Sequence, residues 1–495
     1  MGSIVGLIDR EGFGVGEKIV EMLRILQHRG PDAFGVASED TFQVEKSLED
    51  LDVREVDAPI AVGCNALNLT DKPGEMEIPV YSIDGIVKVQ EGEVYSEAPV
   101  FKQKDDLSSE CVKVARDLRG AYAFALLCGD KIYLTCDSIG AKPIFLGEND
   151  RYVGFASERK ALWRVGINNT RIIQAGTVAV LGAGGISTLP APPIVEGALR
   201  YFDMESAVKE VQPVLKAACK VRVYPEAKRI GVLFSGGLDS SLIAYVLREL
   251  GLEVVLYVGG LDGSCDVEAA RCSADELGFE LREASISLDE FEECICRVVY
   301  AIESFNSVNV GVALPIYLAS RMAREDGLRL CFSGQGCDEL FGGYSRYLNV
   351  LSESGYEGLQ AVLWRDVGRL SEGAQRDGAA ALANSVELRS PFIDRDLIDV
   401  VMGISPELKV AGTNDKLRKL VLRRLAKELG LPESIVVRVK KAAQYGSGAE
   451  KALKMLAKEK GFSVDSMLQK IYVKFKYMVE RCVNVPQLRD AWLLT

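Results

Sequence analysis

The sequence predicts an α/β protein in two parts, the second a doubly wound parallel sheet with helices on both faces. Three observations carry this. Short apolar runs with alternating character fill the first part of the chain. A glycine- and proline-rich stretch, LGAGGISTLPAPP at Leu181–Pro193, then interrupts it. Beyond that stretch, apolar runs alternate with segments of helical period.

Taken in order, Gly120–Leu127, Lys131–Cys136 and Tyr152–Ala156 suit antiparallel strands separated by turns. Leu181–Pro193 reads as a loop or linker, which places the two domains at residues 1–195 and 196–495. Past Arg200, Ile230–Phe234, Val254–Val258 and Leu328–Phe332 read as strands. Helical segments such as Asp266–Leu277 and Leu314–Arg324 fall among them, and that alternation predicts a parallel sheet. No internal repeat or low-complexity tract is present.

At 495 residues the chain is long enough for more than one core. Its 48% apolar and 26% charged residues are those of a soluble globular protein. The net charge of −12 argues against the broad basic footprint of a nucleic-acid binder. No apolar run approaches the roughly 20 residues of a membrane span, and no signal peptide opens the chain, so a cytosolic location is expected. The 12 cysteines include no paired CxxC motif, and reduced thiols are expected. Cys294 and Cys296 fall in a predicted helix and point to different faces. With His28 as the 1 histidine, histidine-ligated metal sites and a serine–histidine relay are out of reach. A required divalent cation would be held by carboxylates and phosphates, which suits magnesium.

Two segments carry the chemistry. FSGGLDSS at Phe234–Ser241 follows an apolar strand and precedes Leu242, Ile243, Val246, Leu247 and Leu250, a helical pattern. A glycine turn at a helix N-terminus is an anion cradle. Gly236 and Gly237 let the backbone approach phosphate oxygens, and Ser235, Ser240 and Ser241 offer hydroxyl donors. The spacing is not that of a Walker A loop. Asp239 places a carboxylate among anions, which calls for a bridging cation; its bland alternative is a helix cap. The second segment is SGQGCDELFGGY at Ser333–Tyr344, whose Asp338 is the natural partner ligand for magnesium. Both segments, with Val258–Gly260, lie beyond the carboxyl ends of predicted strands, where open parallel sheets bind ligands.

Together these segments resemble the synthetase domain of the asparagine synthetase family, whose ATP-pyrophosphatase fold splits ATP into AMP and pyrophosphate. The resemblance covers nearly the whole chain. It implies that Phe234, Val258, Ser333 and Gly334 border the adenosine of ATP, and that Asp239 and Asp338 hold magnesium. ELRSPFID at Glu387–Asp394 is similar to the signature around the acceptor pocket, and RVKKAAQYGSG at Arg438–Gly448 to a late loop in which Lys440 would neutralise phosphate charge. One departure is Gln335, where many glutamine-dependent members carry glutamate. Glutamine hydrogen-bonds but does not act as a base, so either Glu339 or Glu387 takes that role or the acceptor differs.

The N-terminal half resembles class II glutamine amidotransferases through MGSIVGLID, HRGPD at His28–Asp32, DSIGAKPIF at Asp137–Phe145 and FASERKAL at Phe155–Leu162. That implies an Ntn-type αββα sandwich. In the family an N-terminal cysteine attacks the glutamine amide; here its position is Gly2. The arginine that holds the glutamine carboxylate is matched by Ala66, and the oxyanion-hole asparagine by Glu91. A carboxylate there opposes a developing oxyanion. The expectation is a degenerate amidotransferase half joined to an AMP-forming, ATP- and magnesium-dependent ligase. Catalytic roles would fall to Lys440, Asp338, Gln335 and Glu387. Its partners are expected to be small molecules, a carboxylate acceptor and ammonia, with neither nucleic acid nor membrane, while a homo-oligomer stays open. Aspartate is the expected acceptor; a lactam-forming relative and a non-catalytic nucleotide-binding regulator are the alternatives.

Overall fold

The computed structural model describes residues 1–495 apart from 70–79, 84, 97–100, 102–106, 191–195, 440–442 and 482–495. The chain forms two compact units, residues 1–194 with 469–495, and residues 195–468.

In the first unit a seven-stranded antiparallel sheet runs in the order Thr170–Ile172, Phe145–Glu148, Tyr152–Ala156, Gly2–Asp9, Ile60–Ala66, Ala33–Ala37, Phe42–Glu45. A six-stranded sheet, also antiparallel, has Gly120–Cys128 and Lys131–Cys136 near its centre. Alternation along these strands sends Ile4, Ile8, Val62, Val89, Ala125 and Leu134 into one apolar layer between the sheets. The opposite face of the first sheet packs on the helix Gly16–Ile25 through Ile19, Met22 and Leu23. The opposite face of the second packs on Leu107–Asp117 through Leu107, Cys111 and Ala115. The result is the αββα sandwich of the Ntn type.

Two expectations are corrected. Leu181–Pro193 is not simply a linker: Thr177–Gly182 and Gly185–Pro190 form a hairpin at the edge of the second sheet, with Gly182 opposite Gly185. Glycines make the tight turn, and an exposed edge strand tolerates the small residues and proline that resembled a loop. Residues 469–481 belong with the first unit rather than the second. Tyr472 and Phe475, in the helix Val464–Glu480, pack on Trp163 at ring separations of 6.1 and 6.0 Å, and Arg164 donates to the Val479 carbonyl.

In the second unit five parallel strands run in the order Glu280–Ile286, Glu253–Leu261, Arg229–Leu233, Leu330–Phe332, Glu387–Arg389. The strand that comes first in sequence lies in the middle, so the order reverses between Arg229–Leu233 and Leu330–Phe332. A crevice opens at such a reversal, beyond the carboxyl ends of the two strands. Phe234–Ser241 and Ser333–Tyr344 are the segments that leave those ends. Cys294 and Cys296 are both buried in the helix Leu288–Ile302, and the described cysteines form no disulfide.

Candidate active site

The crevice is a cavity lined by Phe234, Ser235, Gly237, Asp239 and Ser240 from one segment and by Ser333, Gly334, Gln335 and Asp338 from the other. Val258, Pro315 and Ile316 add an apolar wall. The helix Leu238–Glu249 starts at Gly237, which supplies no side-chain cap, so first-turn N–H groups face the cavity mouth. Asp239 lies inside that first turn and does not cap it, which removes its bland alternative.

Some expected residues lie elsewhere. Ser241 is fully buried without a hydrogen bond from its hydroxyl, because its place in the first turn rotates it into the core. Gly236 does not line the cavity; its carbonyl accepts from Ser273 Oγ and from Arg438 Nη1 at 3.0 Å each. Glu387 does not line it either: it opens the edge strand Glu387–Arg389 and is 2% exposed. Glu339 does line it, and its Oε1 accepts from Tyr344 Oη at 2.7 Å. Lys440 lies outside the described residues.

At the centre stands a residue that sequence reasoning missed. Lys419 is 2% exposed, and its Nζ lies 2.7 and 2.6 Å from the two oxygens of Asp239 and 2.5 Å from Asp338 Oδ1. Burial alone would lower this amine, but the two carboxylates outweigh that and hold it above its ordinary range, firmly protonated. Arg418 and Lys419 both have φ of 54°, in the left-handed region that costs a residue with a Cβ about 1–2 kcal/mol. The surroundings hold them there. Arg418 Nε donates to the Gly343 carbonyl at 2.9 Å, and Asp415 Oδ1 accepts the Arg418 N–H at 2.9 Å. The FGGY end of the second segment also gains a reason: a Cβ on Gly343 would sit 1.9 Å from Asp338 Oδ1 and 2.2 Å from Lys419 Cε. The sequence signal for Lys419 was absent, because KLRKLVLRR reads as a basic, solvated helix start.

Two buried carboxylates that share one ammonium mark a place built for positive charge. Among the described residues no group of three or more His, Cys, Asp or Glu side chains could hold a metal ion. Oxygen donors from one or two carboxylates, completed by substrate phosphates, are nevertheless how magnesium is commonly bound. Asp239 and Asp338 fit that pattern.

The first unit shows what stands at the glutaminase positions. Gly2 pairs with Ala66 in the sheet, and a Cβ on Gly2 would lie 1.9 Å from the Asn65 carbonyl oxygen. Glu91 is fully buried; its carboxylate binds Arg29 Nη2 and accepts from Ser157 Oγ at 2.5 Å. Arg29 also reaches Glu158 Oε1 at 2.8 Å, and Lys160 Nζ lies 2.6 Å from Glu158 Oε2. Burial opposes ionisation of Glu158, yet Lys160, His28 and Arg29 hold its carboxyl well below the usual range.

Against known proteins, residues 210–361 and 349–473 match the asparagine synthase family model, and residues 89–164 match a glutamine amidotransferase domain. The chain belongs to the asparagine synthetase family. It is 33% identical to a putative glutamine-hydrolysing asparagine synthetase 1 of Methanocaldococcus jannaschii, over 96% of this chain and 100% of that protein. It is 28% identical to the glutamine-hydrolysing asparagine synthetase B of Escherichia coli, over 100% of this chain and 90% of that one. An Arabidopsis thaliana asparagine synthetase is also 28% identical, over 90% of this chain and 78% of its own length. Among the described residues no helix is long and apolar enough to cross a membrane.

Proposed function

We propose that this family member is an AMP-forming amide ligase that adenylates a carboxylate, most naturally aspartate, and transfers the acyl group to ammonia. The observation that carries the reading is Lys419 held between Asp239 and Asp338, where the two motif segments meet at the reversal of strand order. In this scheme an acceptor carboxylate oxygen attacks the α-phosphorus of ATP, and the α–β bridging P–O bond breaks to release pyrophosphate. Ammonia then attacks the acyl carbon, the acyl–O bond breaks, AMP leaves, and a proton is lost to water or a nearby carboxylate. Lys419 supplies a fixed ammonium beside the phosphates, and the N–H groups opening Leu238–Glu249 orient them. Asp239 and Asp338 would hold magnesium, which neutralises phosphate charge when bound.

The same reading takes the glutaminase half as inactive, although the relatives' names include glutamine hydrolysis. A side chain on residue 2 has no room at the Asn65 carbonyl, Ala66 offers no anchor, and both Glu91 oxygens are engaged by Arg29 and Ser157. Gln335 favours one second reading, the same adenylation with another acceptor acid. The test is pyrophosphate release from ATP and magnesium with aspartate, using ammonia or glutamine as amine donor. Asparagine formed with ammonia alone supports the proposal. Turnover with glutamine overturns the inactive half, and no pyrophosphate with aspartate removes it as the acceptor.

A further inference from the structure

Arg423 has no part in the scheme above. It stands in the first turn of the helix Leu420–Glu428, is 6% exposed and lines the cavity. Its described hydrogen bonds all go to main-chain carbonyls. Nε donates to Arg418 at 2.7 Å, Nη2 to Leu417 at 2.6 Å and to Arg438 at 3.1 Å, and Nη1 to Val436. The Leu417 and Arg418 carbonyls belong to the peptide groups that lead into Arg418 and Lys419, so their orientation sets the two left-handed φ angles. The Val436 and Arg438 carbonyls lie where RVKKAAQYGSG begins.

These bonds close a ring around the glycine turn. Arg438 Nη1 donates to the Gly236 carbonyl at 3.0 Å. Asp239, three residues on, takes Lys419 Nζ at 2.7 and 2.6 Å. Arg423 then joins the peptide before Lys419 back to Arg438. A left-handed residue with a Cβ persists only where its surroundings over-determine it. Asp415 and Gly343 fix Arg418 itself, while Arg423 ties the pair to a second segment. That span needs the planar fork of a guanidinium; a lysine ammonium is a point charge on a flexible stem and does not reproduce it.

We propose that Arg423 is a positioning residue, which sets where the Lys419 ammonium stands relative to the Gly236 turn and acts through Lys419 rather than on the ligand. This rests on the crevice being a nucleotide site, while the ligase chemistry is read separately. Calorimetry with magnesium and a non-hydrolysable ATP analogue is run on the full chain as wild type, Arg423→Lys, Lys419→Met and the double variant. Pyrophosphate release from ATP is followed in parallel for wild type and Arg423→Lys. Arg423→Lys keeps the charge and loses the fork. It should bind the analogue about tenfold more weakly, the scale of one charge-assisted hydrogen bond. Its kcat should fall about a hundredfold, the scale of an ångström's misplacement. In the Lys419→Met background the same substitution should weaken binding less than about twofold, because the ammonium it positions is gone. Free guanidinium at a non-denaturing concentration should restore analogue binding to Arg423→Ala, and methylammonium should not, which separates lost geometry from lost folding. Full affinity in Arg423→Lys, an equal loss in both backgrounds, or an equal response to the two cations overturns the proposal. A wild type that binds no analogue overturns it together with the nucleotide site. A non-additive loss of binding without pyrophosphate release upholds Arg423 and sinks the ligase reading instead.

Discussion

Lys409 is a buried charge whose removal should stabilise the protein. It follows the short turn Pro406–Leu408, is fully buried, and its Nζ has Met402 Sδ at 3.8 Å as its polar neighbour. Among the described residues no carboxylate pairs with it. Burial pushes the amine down from 10.5 to about 7. At about 1.4 kcal/mol for each tenfold change, that displacement costs the folded state about 4–5 kcal/mol at pH 7 and below. Between pH 7 and 10.5 the unfolded chain holds a proton that the folded chain lacks, so stability rises with pH across this window. Lys409→Met keeps the length of the side chain and removes the charge. It should stabilise the second unit by about 4 kcal/mol at pH 7, with that gain shrinking to under about 1 kcal/mol at pH 10. The assay is chemical denaturation of wild type and variant at both pH values, followed by a probe placed in the second unit, since a two-unit chain need not unfold in one step. An equal gain at pH 7 and pH 10, or a loss at pH 7, refutes the reasoning.

Other perturbations have equally definite outcomes. Lys419→Met leaves Asp239 and Asp338 buried without their ammonium; it should cost about 3–5 kcal/mol of stability, read by denaturation, and abolish measurable pyrophosphate release. Gly343→Ala forces Asp338 or Lys419 out of place and should lower kcat/KM about a hundredfold or more, while the melting temperature falls by only a few degrees. Arg29→Met strips the cation from Glu91 and Glu158; destabilisation of about 3–5 kcal/mol is expected in the first unit, with ATP affinity, measured by calorimetry, unchanged.

The strand–turn–helix at Phe234–Ser241 was legible because local rules act together there: an apolar run, glycines, then a helical period. The alternation predicts the parallel sheet, and the reversal of strand order, visible only in the fold, places both motifs at one crevice. What was not legible depends on tertiary neutralisation. Lys419 stands in a run of basic residues that resembles a solvated face, and only the fold brings two distant aspartates to it. The edge hairpin at Thr177–Pro190 was hidden for another reason, since exposed strands use the same small residues as loops. The return of the last helix to the first unit had a signal in Tyr472 and Phe475, aromatic residues one face apart from the exposed Val473 and Tyr477.

The left-handed pair Arg418–Lys419 sets how this crevice responds to visitors. At rest one ammonium is shared by two carboxylates, so the set still favours added positive charge. A lone cation must evict Lys419 from its partners, and a lone phosphate chain must settle beside two aspartates. On the ligase reading proposed above, a ligand that brings both signs together would ask for neither, since its phosphates would answer the ammonium and its cation the carboxylates. The resting contact would then favour nucleotide and cation arriving as a pair over either one alone.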